Sequence, residues 1–165
     1  MEIRDALETD LGEILAIYNQ VIAESTAVFT EMPATLEDRK AWWQSRVAAG
    51  YPVLVAAEGA TVRGFATFGD FRSWPGYRFT VEHSVHVADG SRGRGIGRQL
   101  VEALFPRAEA LRKHIMVAGI DAANTASIRF HERLRFERVG LLREVGYKFG
   151  RRLDLALLQR RVLLS

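Results

Sequence analysis

The chain has 165 residues, a length that suits one domain, and its 48% apolar, 26% charged and 10% aromatic residues supply a packed core with no bias toward disorder. Lys plus Arg total 23 against 20 Asp plus Glu, a surplus of +3 that argues against a nucleic-acid binder, whose affinity rests on a concentrated basic face. The absence of cysteine removes disulfides, thiolate nucleophiles and zinc–thiolate or iron–sulfur sites, leaving oxygen and nitrogen groups for any chemistry.

Met1 to Leu11 carries Glu2, Arg4, Asp5, Glu8 and Asp10, unlike a signal or transit peptide, and no apolar run approaches the ~20 residues that cross a bilayer. A soluble cytoplasmic protein without a membrane partner is expected. A short strand over Glu2–Ala6 leads to Asp10, a helix cap with Glu13 three residues on as in a capping box. Leu11, Ile14, Leu15, Tyr18 and Ile22 then recur at helical spacing. The irregular segment Ser25–Pro33 carries Phe29, whose ring either fills core space or lines a pocket. A second helix is predicted over Leu36–Ala49, with Thr35 before it, Gly50 as its C-terminal cap, and Leu36, Lys40, Trp43 and Val47 sharing a face.

From Pro52 the period changes to two. Val53–Ala57 and Val62–Phe71 read as a hairpin around Glu58-Gly59-Ala60-Thr61, and a loop through Ser73-Trp74-Pro75-Gly76 leads to a third strand, Phe79–Val87. After a glycine-rich turn, a helix over about Arg98–Arg112 turns Leu100, Val101, Leu104, Ala108 and Leu111 inward, with Pro106 removing one backbone donor. His114–Ile120 is a strand, Thr125–Leu134 a helix, and Glu137–Val145 and Leu153–Val162 are strands. Leu153, Leu155 and Leu157 serve either a core or an interface. The order β-α-α-β-β-β-α-β-α-β-β, without repeats or a linker, predicts a single α+β domain around a mixed sheet.

The most informative stretch is the strand Val85-His86-Val87 running through Ala88-Asp89-Gly90-Ser91 into Arg92-Gly93-Arg94-Gly95-Ile96-Gly97-Arg98. The glycines let the backbone approach a ligand while the first helical N–H groups point outward, and Arg92, Arg94 and Arg98 add positive charge, which together suit a pyrophosphate. A Walker loop is excluded because no Gly-Lys-Ser/Thr ends the turn, and the dinucleotide fingerprint lacks its final glycine. His83, His86 and His114 are not spaced as a metal site, and no metal is expected.

Arg92 to Gly97 resembles the Gln/Arg-x-x-Gly-x-Gly/Ala signature of the GNAT superfamily of N-acetyltransferases. Ile17-Tyr18-Asn19, Gly50-Tyr51-Pro52-Val53, Gly69-Asp70-Phe71-Arg72-Ser73, Val81-Glu82-His83-Ser84-Val85, Val117-Ala118-Gly119-Ile120 and Lys148-Phe149-Gly150-Arg151 resemble its phosphinothricin and methionine sulfone or sulfoximine N-acetyltransferase branch. This resemblance implies a GNAT fold, a mostly antiparallel central sheet flanked by helices, and acetyl transfer from acetyl-CoA to the amine of a small amino-acid-like acceptor. Another amine, such as a polyamine or a protein N-terminus, and a non-catalytic acyl-CoA-binding module are the alternatives.

The resemblance further implies roles. Backbone groups of Val85, His86 and Val87 would pair with the pantetheine arm, Gly93, Gly95, Ile96 and Gly97 with the three arginines would hold the pyrophosphate, and Asn124 would bond the pantetheine region. Glu82 stands at the position of the base that neutralises the acceptor ammonium and also binds it. His131 occupies the position of a tyrosine in many members and either protonates the departing thiolate or packs against the cofactor. Arg72, Ser73 and Trp74 fall in the acceptor loop, where an arginine suits a carboxylate, and Phe29 would close the apolar side. Arg135 stands where a glycine is usual and Arg152 where the branch has tryptophan; a homodimer is implied.

Overall fold

The computed structural model describes residues 1–164. Its elements are β1 (Glu2–Asp5), α1 (Leu11–Glu24), α2 (Leu36–Ala48), β2 (Val53–Glu58), β3 (Thr61–Asp70), β4 (Thr80–Val87), α3 (Ile96–Ala110), β5 (Ile115–Asp121), α4 (Thr125–Arg133), β6 (Glu137–Lys148) and β7 (Arg151–Arg161), in the order expected from the sequence. The strands form one sheet, β1-β2-β3-β4-β5-β7-β6, in which only the β4–β5 pair is parallel.

Alternation along the strands divides the core between the two faces of the sheet. On one face Val53, Val55, Val62 and Phe65 pack against Leu11, Ile14 and Ile17 of α1, with Trp42 and Trp43 of α2 beside them. On the other, Leu54, Ala56, Phe68, Val81, Met116 and Leu158 meet Leu100, Val101 and Leu104 of α3 and Ile128 of α4. Two helices thus cover each face.

Several local expectations change. Asp10 has helical backbone angles and so cannot cap α1; its carboxylate accepts the Leu7 N–H at 2.7 Å and pairs with both terminal nitrogens of Arg4 at 2.7 and 3.0 Å. Glu13 accepts the Val62 N–H at 2.6 Å, tying α1 to β3 instead of closing a capping box. The box occurs at α2, where Thr35 and Asp38 bond each other's backbone N–H. Leu36 and Val47 of α2 are exposed, and the packed face is instead Arg39, Trp42, Trp43 and Arg46. Arg39 lies 4.0 Å above the Tyr18 ring and 4.4 Å from that of Trp42, so a guanidinium plane does the packing that aliphatic groups do elsewhere. In α3, which starts two residues early at Ile96, Leu111 falls beyond the helix and is partly exposed.

Both helices of the second face end in the same way. Beyond α4, the Arg135 N–H bonds Glu132 O at 2.9 Å and the Phe136 N–H bonds His131 O at 3.0 Å, a Schellman ending with Arg135 in the left-handed position (φ 67). Arg112 does the same after α3, with φ 56. The unusual arginine at 135 therefore leaves the helix ending intact at the cost of backbone strain. Arg135→Gly is expected to raise stability by about 1 kcal/mol in urea unfolding at constant m; a loss of that size would show that the arginine side chain compensates the strain.

Candidate active site

The parallel β4–β5 ladder is short: Thr80, Val81 and Glu82 pair with Ile115, Met116 and Val117, after which the strands part. On its other side β4 stays paired with β3 as far as Val87. His83 to Val87 therefore presents an edge without a ladder partner toward β5. Backbone polar groups left free inside a protein need partners, and an extended ligand arm fits such an edge as an added strand would. Beside the edge, Ser84, Val85, His86, Gly119, Asp121 and Asn124 line a narrow cleft of about 90 Å³. Asn124 caps α4 by accepting the Ser127 N–H at 3.1 Å through Oδ1, which leaves its amide nitrogen for a ligand.

The edge runs into the glycine turn. Gly90, Gly93 and Gly95 all have positive φ (77, 80 and 75), conformations that favour glycine, and no atom lies within 4 Å of where their Cβ atoms would be. The first bond of α3 joins the Gln99 N–H to Gly95 O, so the N–H groups of Ile96, Gly97 and Arg98 point outward at the positive end of the helix. The arginines differ from expectation: Arg92 pairs with Asp89 at 3.6 Å, Arg94 with Glu58, and Arg98 with Glu102 at 2.8 Å. Each of these arginines thus has a carboxylate neighbour at the surface, while the donors fixed in place at the turn are its backbone N–H groups. The ring of His86 packs between Tyr18 and Phe65, so what this residue presents at the open edge is its backbone.

Glu82, on the last β4–β5 pair, is half-buried and lines a second pocket of about 260 Å³ with Ala27, Phe29, Arg46, Ser84, Gly119 and Leu155. Burial raises its pKa, and the nearby charge of Arg72 opposes the rise. A side chain at Gly119 would crowd the carboxylate, its Cβ lying 3.3 Å from Oε2. Phe29 rests on Gly146, whose missing Cβ would come within 2.5 Å of the ring. The loop carrying Phe29 is held at several points. The fully buried Lys148 ammonium donates to Ser25 O and Val28 O at 2.7 and 2.8 Å, the Thr26 hydroxyl bonds Asp121, and the Asn19 amide clamps both backbone groups of Ala34 at 3.0 and 2.8 Å. These contacts explain Asn19 and Lys148, which the sequence marks only as motif letters.

The structure thus brings Phe29 and Glu82 together as expected, whereas the loop residues stand apart. Ser73 and Trp74 are exposed, and the Arg72 guanidinium donates to Phe71 O at 2.8 Å while lying 4.2 Å over the Phe71 ring. None of the three lines the pocket that holds Glu82. Arg152 also lies outside it, 5.9 Å from the Tyr147 ring on the exposed face of the β6–β7 hairpin. Leu155 faces the Glu82 pocket while Leu153 is buried. Sequence reasoning missed Arg46, because an arginine on a helix face scores as solvent-directed.

His131 is buried, with both ring nitrogens engaged: Nδ1 lies 2.8 Å from Ser127 O and Nε2 lies 3.1 Å from His83 Nε2. His83 Nδ1 in turn lies 3.3 Å from Val117 O. These three contacts need three protons, and two neutral imidazoles supply two. Burial lowers both pKa values, that of His83 to about 3, so the pair is neutral near pH 7. The shortest contact takes His131 Nδ1–H, His131 Nε2 accepts from His83 Nε2–H, and the long Val117 contact goes without. The donor role expected of His131 does not fit this arrangement, which leaves it no free N–H; its packing role does. Among the described residues, no group of three or more His, Asp or Glu is arranged to hold a metal ion, and no helix is long and apolar enough to cross a membrane.

A profile described as the acetyltransferase (GNAT) family matches residues 14–136. The L-methionine sulfoximine/L-methionine sulfone acetyltransferase of Pseudomonas aeruginosa is 51% identical over 95% of this chain and 92% of its own. The phosphinothricin N-acetyltransferase of Streptomyces coelicolor is 40% identical over 97% and 95% of the two chains. A putative acetyltransferase from Salmonella typhimurium, solved with its cofactor acetyl-CoA, superposes with a TM-score of 0.96 at 42% identity over 100% of this chain and 95% of that one.

The histidine pair has a consequence for stability. Its pKa values are lower in the folded than in the unfolded chain, so the stabilisation is complete above about pH 6.5 and is lost as pH falls toward the folded values. Between pH 6.5 and 5, urea unfolding is expected to show stability falling with pH, and His83→Phe to flatten that slope by about 1 kcal/mol per pH unit. An unchanged slope would mean that His83 takes up its proton alike in the folded and unfolded chains.

Proposed function

The chain belongs to the acetyltransferase (GNAT) family, and from that premise we propose that it transfers an acetyl group from acetyl-CoA to the amine of a small amino-acid-like acceptor of the methionine sulfone, methionine sulfoximine or phosphinothricin type. The observation that carries this reading is the placement of Glu82 on the last β4–β5 pair, between the open strand edge and the pocket of Phe29.

The free edge of Val85, His86 and Val87, with the Asn124 amide, would receive the pantetheine arm, and the outward N–H groups of Ile96, Gly97 and Arg98 would receive the pyrophosphate. The acceptor enters as an ammonium, which cannot attack. Glu82, made more basic by burial, takes one proton directly or through water. The nitrogen lone pair then forms a bond to the thioester carbon, and a backbone N–H of the β4 edge stabilises the oxyanion. The carbon–sulfur bond breaks, its electron pair leaves with sulfur, the nitrogen made cationic by the attack gives up its second proton to balance the one the thiolate gains on becoming a thiol, and Glu82 releases the first proton to solvent. Without cysteine, transfer runs directly and needs no acyl-cysteine enzyme. His131 packs the wall of the cleft, and the charge of Arg72, outside the pocket, partly opposes the rise that burial gives the Glu82 pKa. The reading places the enzyme in the cytoplasm, where acetyl-CoA is available.

Two copies would pair through β6. This edge strand leaves Val139, Leu141, Leu142, Val145 and Tyr147 exposed, an apolar edge that monomeric proteins avoid. Sedimentation is expected to give about twice the 18.5 kDa of one chain, and Leu141→Lys to shift the mass toward the monomer; a monomeric parent would refute the pairing.

The function itself is tested by free-CoA release against a panel of amines. Methionine sulfone should be acetylated; acetyl-CoA binding without transfer to any amine would favour a binding module. Glu82→Gln should cost on the order of 10²–10⁴ in kcat/KM near neutrality and less at high pH, where the acceptor is already neutral. Activity should fall as acid protonates Glu82 at its raised pKa, and Arg72→Ala, which removes the opposing charge, should move that limb to higher pH. A limb that stays in place would separate Arg72 from the base.

A further inference from the structure

Arg46, on the inner face of α2, is the one guanidinium that lines the Glu82 pocket. Its Nε is buried without a hydrogen-bond partner, and among the described residues no carboxylate lies within ion-pair distance. The acid whose charge acts on it, Asp70, is engaged by the Tyr51 hydroxyl, which in turn accepts from Lys113 Nζ at 3.1 Å. A half-buried guanidinium with unused donors is costly to keep unless a ligand completes it.

Its position is built into the sheet. The guanidinium lies over Gly69 of β3, where a Cβ would come within 1.7 Å of Nη1 and 2.5 Å of Cζ. Gly69 is directly opposite Glu82 in the β3–β4 pairing. Side chains of opposed residues project on the same side of a sheet, so the glycine makes room for a cation beside the candidate base. The pocket accordingly offers a carboxylate from Glu82, a guanidinium from Arg46, and apolar walls from Phe29 and Leu155. An α-amino acid presents the complementary set on one carbon: an ammonium, a carboxylate and a side chain. Arg72, the arginine that the sequence suggests for the carboxylate, is turned to its own backbone neighbour and to the Phe71 ring.

We propose that Arg46 is the carboxylate receptor of the acceptor site, and that Arg46, lying over Gly69, and Glu82, whose carboxylate lies by Gly119 in the same pocket, together select free α-amino acids over amines that lack a carboxylate. This rests on the acetyltransferase reading and adds to it the group that reads the acceptor's acid.

The test compares methionine sulfone with 3-(methylsulfonyl)propylamine, the same molecule without its carboxylate, by free-CoA release. If the parent enzyme acetylates neither, the acetyltransferase reading fails before Arg46 is tested. If it acetylates both equally, the selectivity proposal is overturned. The expected parent prefers the amino acid. Arg46→Gln should reduce the ratio of the two kcat/KM values on the order of 10- to 100-fold, the size of lost hydrogen bonds to a charged group, chiefly through KM of the amino acid. Arg46→Lys should restore part of the ratio, since it keeps the charge and loses the fork. Gly69→Ala is the second route: it keeps Arg46 and displaces the end of its flexible side chain, and should reduce the same ratio. A ratio unchanged in Arg46→Gln, or lost instead in Arg72→Gln, would overturn the assignment.

Discussion

The parallel pairing of β4 with β5 stops after three residue pairs, and the site depends on that early end. Beyond Glu82 and Val117 the two strands cannot satisfy each other's backbone, while β3 continues to support β4 as far as Val87. A supported strand with one unpaired edge is rigid and sticky at once, and the edge runs along β4 toward the first turn of α3. The same end point places Glu82 at the mouth of the gap. Behind the gap, on the α4 side, the His83–His131 pair stands against the Val117 carbonyl where the ladder ends. Because burial keeps both rings neutral near pH 7, they fill the space without bringing a charge into the core.

Charge is distributed differently from what the composition suggests. The arginines of the glycine turn have carboxylate partners on the surface, where ion pairs are weak and exchange readily. A pyrophosphate arriving there meets the fixed backbone donors of a helix N-terminus first and side chains second. A cation without an ion-pair partner lies instead in the pocket that the half-buried Glu82 also lines, at Arg46, held over a glycine. The exposed turn can therefore bind an anion with little reorganisation, whereas the pocket keeps an unmet demand for one. Such a division suits a protein that takes a phosphate-bearing substrate at one end of a strand and an amino acid at the other.

Much of this was legible in the sequence because it is local. Strand alternation, the Gly59-Ala60 hairpin, the Thr35 cap and the glycine turn each follow from a few neighbouring residues, and the order of elements came with them. What was hidden depends on partners far along the chain or on side chains used against type. The inner face of α2 is made of Arg39, Trp42, Trp43 and Arg46, so a pattern that counts arginine as polar points to the wrong side. Asp10 reads as a cap but is drawn away by Arg4. His131 reads equally as a proton donor or a packing group until His83, 48 residues away, is found on its second nitrogen. Arg135 adopts a left-handed conformation that its residue type disfavours, because the Schellman bonds after α4 hold it there.

In the mechanism we propose, the parted β4–β5 edge holds acetyl-CoA so that its thioester meets an amino acid suspended between Glu82 and Arg46. A crystal structure with CoA and methionine sulfone tests it most directly. The expected density has the CoA arm along Val85 to Val87, its sulfur at the gap between the strands, the acceptor nitrogen within hydrogen-bond reach of Glu82, and the carboxylate on the Arg46 guanidinium. An acceptor bound with its nitrogen away from Glu82, or a CoA arm lying off the β4 edge, would contradict it.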